Sequence, residues 1–211
     1  MNAAAQRSES SPDARTRLLD AAMQVIRARG YSATTVDDIC RAAGLTKGAF
    51  FHHFKSKEDL AVRAAAHFSE MAERLFGAAP YRELADPLDR LLGYVDFRTV
   101  ILVGPVPEFT CLLGTMVQEA YDTHPSIRRA CDEFIGVHAA EVAKDIAAAK
   151  ALYAPSAEWS AESLALYTQA VLQGAFVLAK SKGGPEVARD CLAHLHRYLL
   201  QLFHRPTSKE E

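Results

Sequence analysis

The sequence predicts an all-α protein of about nine helices, and three observations lead there. Apolar residues recur at three- and four-residue intervals along most of the chain, the period of a helix face. The one β-branched, apolar run that could be read as a strand, residues 99–103, continues a helical pattern. Glycine and proline fall between the periodic stretches, where they stop or open helices. At 211 residues, 49% hydrophobic and 24% charged, the chain is composed like a folded globular protein and is long enough for a small domain joined to a larger one.

The first helix is expected over residues 13–29, with Leu18, Ala22, Val25 and Ile26 on one face and Gly30 as its stop. A short second helix spans 36–43. Thr35 caps it and Asp38 stands three residues on, a capping box with Asp in place of Glu. Gly44 turns the chain, Thr46 caps a third helix over 47–53, and a long fourth runs from about Lys57 to Phe76. Asp86-Pro87 opens a fifth reaching about Val103, since proline suits a first turn. Gly104-Pro105-Val106-Pro107 reads as a rigid connector to a sixth helix over about 108–121. His124-Pro125 opens a seventh reaching toward Leu152, and residues 155–160 form a loop. The eighth and ninth, about 161–182 and 185–203, are parted by Gly183-Gly184. Residues 1–12 read as a disordered lead-in and 206–211 as a polar tail, leaving a head at 13–60 and a body at 61–205.

Several function classes fall away. No apolar run approaches the roughly 18 residues needed to cross a bilayer. The N-terminal stretch lacks the apolar segment of a secretion signal, so a cytoplasmic location with no membrane partner is expected. Cys40, Cys111, Cys131 and Cys191 show no CxxC pairing, which argues for free thiols. His52-His53 are adjacent and His194 and His196 are two apart, neither a chelating spacing on a helix. His138 and Glu141 stand at i, i+3 without a third ligand, so no metal and no cofactor are expected. The motifs GxSxG, GxGxxG, HExxH and the P-loop are missing, and Asp37-Asp38 and Asp132-Glu133 fall on expected exposed helix surfaces, so no enzyme is expected. The formal net charge of −2 is unevenly spread: residues 1–60 carry nine Lys/Arg against seven Asp/Glu, the remainder fifteen against nineteen. A mildly basic head on an acidic body suits a nucleic-acid-binding end.

Residues 34–60, TTVDDICRAAGLTKGAFFHHFKSKEDL, carry the strongest signal. Two short helices joined by a glycine turn make the layout of a helix-turn-helix, whose second helix lies in the major groove of DNA. Val36, Ile39, Cys40, Leu45, Phe50 and Phe54 are expected to pack a three-helix core. Thr46, Lys47, Gly48, Ala49, Phe51, His52 and His53 are left facing outward. Small residues at the start of the third helix permit close approach, and its free N–H groups suit phosphate oxygens. Lys47 can donate to guanine, Phe51 and Ala49 can touch thymine methyls, and Lys57 is placed as a phosphate clamp. A helical hairpin that binds another protein is the rival reading; it leaves the outward Thr46-Lys47-Gly48 start and Lys57 without a purpose.

The stretch GYSATTVDDICRAAGLTKGAFFHHFKSKEDL resembles the N-terminal domain of the TetR/AcrR family of transcriptional regulators. The likeness rests on Gly30-Tyr31, Thr34-Thr35-Val36, Ile39, Ala42-Ala43-Gly44, Thr46-Lys47-Gly48, Phe50-Phe51-His52-His53-Phe54 and Lys57-Glu58-Asp59-Leu60. It covers about residues 13–60. The resemblance implies a three-helix head that binds a palindromic double-stranded DNA operator as a homodimer. It also implies an all-helical body that binds a small-molecule effector and releases the DNA. By position it places Lys47, Gly48 and Phe51 at bases, and Thr35, Thr46, His53 and Lys57 at phosphates. Ala49 stands where the family often has Thr and Phe51 where Tyr is commonest, so two hydroxyl contacts are missing.

In the body, the resemblance implies a pocket between the middle helices. Phe109, Cys111, Met116, Glu119 and Tyr121 are its expected wall, completed by Tyr94, Phe97, His138, Tyr167 and Phe176. Plain core packing is the commoner fate of each such residue. Cys111 has two readings: a thiol that senses electrophiles or oxidants, or an inert core residue, the commoner fate of free cysteine. No basic residue lies within one helical turn of it, so activation would have to come from a helix N-terminus or from distant neighbours. The last two helices carry broad apolar faces. Tyr167, Val171, Gly174, Ala175 and Leu178 on one, with Cys191, Leu192, Leu195, Tyr198, Leu199 and Leu202 on the other, either face their own core or build a four-helix dimer interface.

Overall fold

The computed structural model describes residues 13–204; the lead-in and tail expected at the two ends lie outside the described residues. The helices are α1 (Ala14–Arg29), α2 (Val36–Ala43), α3 (Lys47–His53), α4 (Lys57–Gly77), α5 (Pro87–Val100), α6 (Val106–Phe109), α7 (Leu112–Ala120), α8 (Pro125–Tyr153), α9 (Ala161–Lys182) and α10 (Glu186–Leu202). A 3-10 turn, Pro80–Glu83, joins α4 to α5. No strand occurs among the described residues.

The head is fixed by local chemistry. The Asp13 carboxylate accepts from Thr16 N at 2.7 Å and starts α1. Around α2 the capping box closes in both directions: Asp38 N donates to Thr35 Oγ1 and Thr35 N donates to Asp38 Oδ2, each at 3.1 Å. Gly44, at φ 62°, makes the left-handed turn between α2 and α3 that a side chain would resist. Thr46 and Ser56 cap α3 and α4 one way, their hydroxyls accepting from Ala49 N and Asp59 N. Ile39, Cys40, Phe50 and Phe54 are all buried, while Val36 and Leu45 pack against them partly covered.

Two hydrophobic cores run through the molecule, and their division differs from the expected boundary at residue 60. One joins α1, α2, α3 and the first half of α4 to α7 and the start of α8, through Leu112, Leu113, Met116, Ala120, Ile127 and Cys131. The other joins α5, α9, α10, the end of α4 and the rest of α8. Cys111, at the head of α7, packs against both.

The sixth expected helix is in fact two. Pro105 caps the single turn of α6, the chain extends through Thr110 and Cys111, and α7 begins afresh at Leu112 with Cys111 Sγ as its cap. The fifth stops at Val100, short of the expected Val103, and the chain then reaches Gly104 at φ 78°.

The apolar stripe on α10 faces inward. Leu192, Leu195 and Leu199 are buried in the body core, as is Ala175 of α9, so these four are corrected from interface to core. Val171, Cys191 and Leu202 are partly covered by the same core. What α9 and α10 leave in solvent is a different set, with Tyr167, Gly174, Leu178 and Tyr198 from the expected face and Leu166 and Val177 beside them.

Candidate nucleic-acid interface and helical cleft

The α3 surface is built by contrast between neighbours. Phe50 and Phe54 are buried, yet Phe51 is 58% exposed, its ring lying edge-on to Phe50 at 5.1 Å. Thr46, Lys47, Gly48 and His52 are exposed alongside it, whereas Ala49 and His53 are half-buried. The outward surface is therefore narrower than expected: Thr46, Lys47, Gly48, Phe51 and His52.

Lys47 is held in place by a 2.9 Å ion pair with Asp37 of α2, a partner that sequence spacing did not reveal. Thr46 Oγ1 accepts from Ala49 N at 3.2 Å, which leaves the hydroxyl hydrogen available to an acceptor outside. The Thr35 hydroxyl instead donates to Asp38 at 2.6 Å, and these bonds hold the Asp38 carboxyl below its usual range. Exposed Arg41 and Lys55 flank α3 and were missed, because an isolated surface cation carries no pattern.

Lys57 is not a free clamp. Its ammonium donates to the Tyr31 carbonyl at 3.0 Å and the Thr34 carbonyl at 2.9 Å, and lies 4.3 Å from the centroid of the Tyr31 ring. Burial holds its pKa below the ordinary lysine value. Two of its three N–H bonds thus tie α4 to the corner after α1.

That corner is also where the body grips the head. Glu119 of α7 accepts from Ser32 N at 2.8 Å, and Gly30 leaves room for it, since a Cβ there would stand 2.1 Å from Glu119 Oε1. His124 meets the Tyr31 ring edge-on at 5.1 Å. Arg27 of α1 donates to the carbonyls of Glu108 and Thr110 at 3.0 and 3.5 Å, and the Ser126 hydroxyl donates to Glu58.

The ten residues expected around one pocket separate. Cys111, Glu119 and Phe176 line a half-open cleft of about 200 Å³ between α7 and α9, together with Thr110, Gly114, Thr115, Gln118, Gln173, Val177 and Lys180. Met116 is fully buried in the head core, Tyr121 is 60% exposed, and Tyr167 lies tilted against Tyr198 on the outer face. Phe109 packs against the body core. Tyr94, Phe97 and His138 form a separate aromatic cluster with Phe76 and Tyr81. Among the cleft residues missed from sequence, Gly114 and Gln118 of α7 and Gln173 and Val177 of α9 each stand at i, i+4, on two helices some sixty residues apart, a pairing only the fold supplies.

A capped three-helix head with an exposed third helix, mounted on a helical body, defines a helix-turn-helix DNA-binding regulator. The family model for bacterial regulatory proteins of the tetR family matches residues 18–64, and that for the tetracycline repressor-like C-terminal domain matches 87–195. The chain belongs to the TetR family, whose members are DNA-binding regulators rather than enzymes.

The chain is 39% identical over 83 residues to the transcriptional repressor KstR2 of Mycolicibacterium smegmatis, covering 37% of this chain and 38% of that protein. It is 34% identical over 105 residues to the repressor DhaR of a Mycobacterium species, covering 50% and 51%. It thus spans between about two-fifths and a half of these curated relatives. A TetR regulator from Chloroflexus aurantiacus superposes with a TM-score of 0.77 at 26% identity, over 89% of this chain and 94% of that one. The reduced form of NemR from E. coli superposes at 0.72 with 22% identity, over 87% and 95%. No helix of the described residues is long and apolar enough to cross a membrane.

Proposed function

We propose that this protein is a homodimeric repressor that holds a palindromic operator through α3 and lets go when a small molecule occupies the body. The observation that carries it is Phe51, a phenylalanine 58% exposed between two buried ones and flanked by Lys47 and Gly48. Exposing that ring costs free energy in the lone protein, and a thymine methyl or a base edge in a major groove covers it. Lys47 would exchange Asp37 for guanine acceptors, and the α3 N-terminus with the Thr46 hydroxyl would hold a phosphate. Thr35 and His53 could add phosphate contacts at the edges. The named repressors among its relatives favour repression, and a regulator of this kind acts in the cytoplasm with its DNA.

Two copies related by a dyad would set their α3 helices about 34 Å apart, one turn of the duplex. The α7–α9 cleft is the proposed effector site. Its wall, α7, holds Ser32 just past α1 through Glu119, and the Thr110 carbonyl leading into α7 accepts from Arg27 of α1, so a ligand that moves α7 shifts the head. By linkage, the effector weakens DNA binding by the same factor by which DNA weakens effector binding.

Selection of bound sequences from random duplexes tests the reading. Lys47→Ala should relax preference at one position of each half-site, a loss of about 1–3 kcal/mol of discrimination. Lys57→Ala should weaken binding to every sequence and also lower the unfolding midpoint, because it unties the Tyr31 and Thr34 carbonyls. Failure of the wild type to bind any duplex at low salt would sink the proposal.

A further inference from the structure

The α7–α9 cleft holds a cysteine in unusual surroundings. Cys111 is half-buried and caps α7, its Sγ accepting from Gly114 N at 3.4 Å. A helix N-terminus favours negative charge on a capping atom. The two cations missing from its own sequence neighbourhood arrive from elsewhere in the fold. Lys180 of α9 lines the cleft with Cys111, and Arg27 of α1 donates to the carbonyl of the adjacent Thr110 at 3.5 Å. The Lys180 ammonium donates to Thr115 Oγ1 at 2.7 Å, and Thr115 donates to the Cys111 carbonyl at 2.9 Å.

A second observation points to a ligand. Thr110, which lines the same cleft, is only 2% exposed, and its hydroxyl oxygen has no hydrogen-bond partner among the described residues. A buried hydroxyl left unmet is costly, and a ligand oxygen placed in the cleft would relieve that cost. Phe176 and Val177 supply apolar walls for the rest of such a molecule.

We propose that the cleft is a covalent sensing site for small, soft electrophiles of the α,β-unsaturated carbonyl class, with Cys111 Sγ as the nucleophile. This rests on the regulator reading above and names the ligand chemistry of its effector site. The thiol gives up its proton to solvent, and the sulfur lone pair forms a bond to the β-carbon. The carbon–carbon π pair moves onto the enolate, and a proton from Lys180 or water closes the α-carbon. The sum is addition of S–H across the double bond, with no oxidant or reductant required. Lys180 and the Thr110 hydroxyl are the donors available to the developing enolate oxygen.

The position explains a readout. Cys111 packs against both hydrophobic cores, one residue from the Thr110 carbonyl that Arg27 holds. An added alkyl chain there wedges α7 away from α1 and α9, and cores are bistable rather than elastic under such a change. The other thiols are poor candidates. Burial pushes Cys131 up to about 12 and raises Cys40 as well, and Cys191 is half-buried but lies outside the cleft.

Limited treatment of the full chain with N-ethylmaleimide, followed by peptide mapping by mass spectrometry, gives the order in which the thiols react. Cys111 should react first, about tenfold faster than Cys191. Cys191 reacting first, or all four at similar rates, overturns the proposal without touching the DNA reading. In parallel, release of a selected duplex should rise with Cys111 occupancy, and Cys111→Ser should slow that release by at least about tenfold. A fully Cys111-alkylated protein that keeps its duplex would overturn the sensing role. If Cys111 reacts first but the untreated protein binds no duplex, the covalent site stands and the regulator reading falls.

Discussion

Arg98 places a guanidinium nitrogen 2.8 Å from His138 Nε2, and the Tyr94 hydroxyl stands 3.0 Å from the same atom. Burial, reinforced by Arg98 and Arg82, pushes the His138 pKa down to about 3, so the ring is neutral and accepts from Arg98 at neutral pH. A histidine in the unfolded chain titrates near 6.5. Between those two values the unfolded state takes up a proton that the folded state refuses. Stability is therefore full above about pH 6.5 and is lost as pH falls toward 3. The loss should reach about 2 kcal/mol by pH 5, read from urea midpoints at pH 7, 6 and 5. His138→Gln, which keeps an acceptor for Arg98 but cannot titrate, should flatten the profile. Parallel decline in both proteins would assign the acid sensitivity to other groups. In sequence, His138 looked like one polar group in an aromatic cavity; Arg98, four helical residues beyond Tyr94 and forty before His138, gave no sign of the contact.

Helix α7 shows where sequence reading reaches and where it stops. The head was legible because its signals are local: Thr35 with Asp38, Gly44, Thr46 and the alternation of buried and exposed phenylalanines all lie within twenty residues. The break before α7 was not, because Cys111 as a cap looks like any apolar residue in a helical run. Nor does periodicity say which of two partners an apolar face will meet. Met116 was expected to face a ligand and instead is fully buried among Ala22, Ala61, Ile127 and their neighbours in the head core. The same blindness left the Leu192, Leu195 and Leu199 stripe open between its own core and a dimer interface, and the core takes it. Because α7 completes the head, Met116→Ala should cost about 2–5 kcal/mol of global stability. Head and body should still melt together in calorimetry. A variant of unchanged stability with altered effector binding would return Met116 to the cleft.

At the scale of the whole molecule, the surface that remains after folding decides how two copies meet. Tyr167, Gly174, Val177, Leu178 and Tyr198 stay in solvent on α9 and α10, with the rings of Tyr167 and Tyr198 5.3 Å apart, so the two helix faces are continuous. Beyond its own helix turn, no atom of the described residues lies within 4 Å of a Cβ built on Gly174, which leaves that spot open to a partner helix. Leu178 is 44% exposed, so Leu178→Glu should leave the single chain folded while placing a charge inside the proposed dimer. Light scattering should then report 23.1 kDa rather than twice that mass. The effect on DNA follows from linkage of two half-sites: once one head is seated, the other binds at an effective concentration fixed by the dimer. Severing that link should weaken operator binding by about a hundredfold or more. The slope of log affinity against log salt should fall by about half, since half the phosphate contacts are lost per binding event. A monomeric variant that held the operator with wild-type affinity and an unchanged salt slope would mean that one α3 suffices, and that the exposed faces of α9 and α10 serve another purpose.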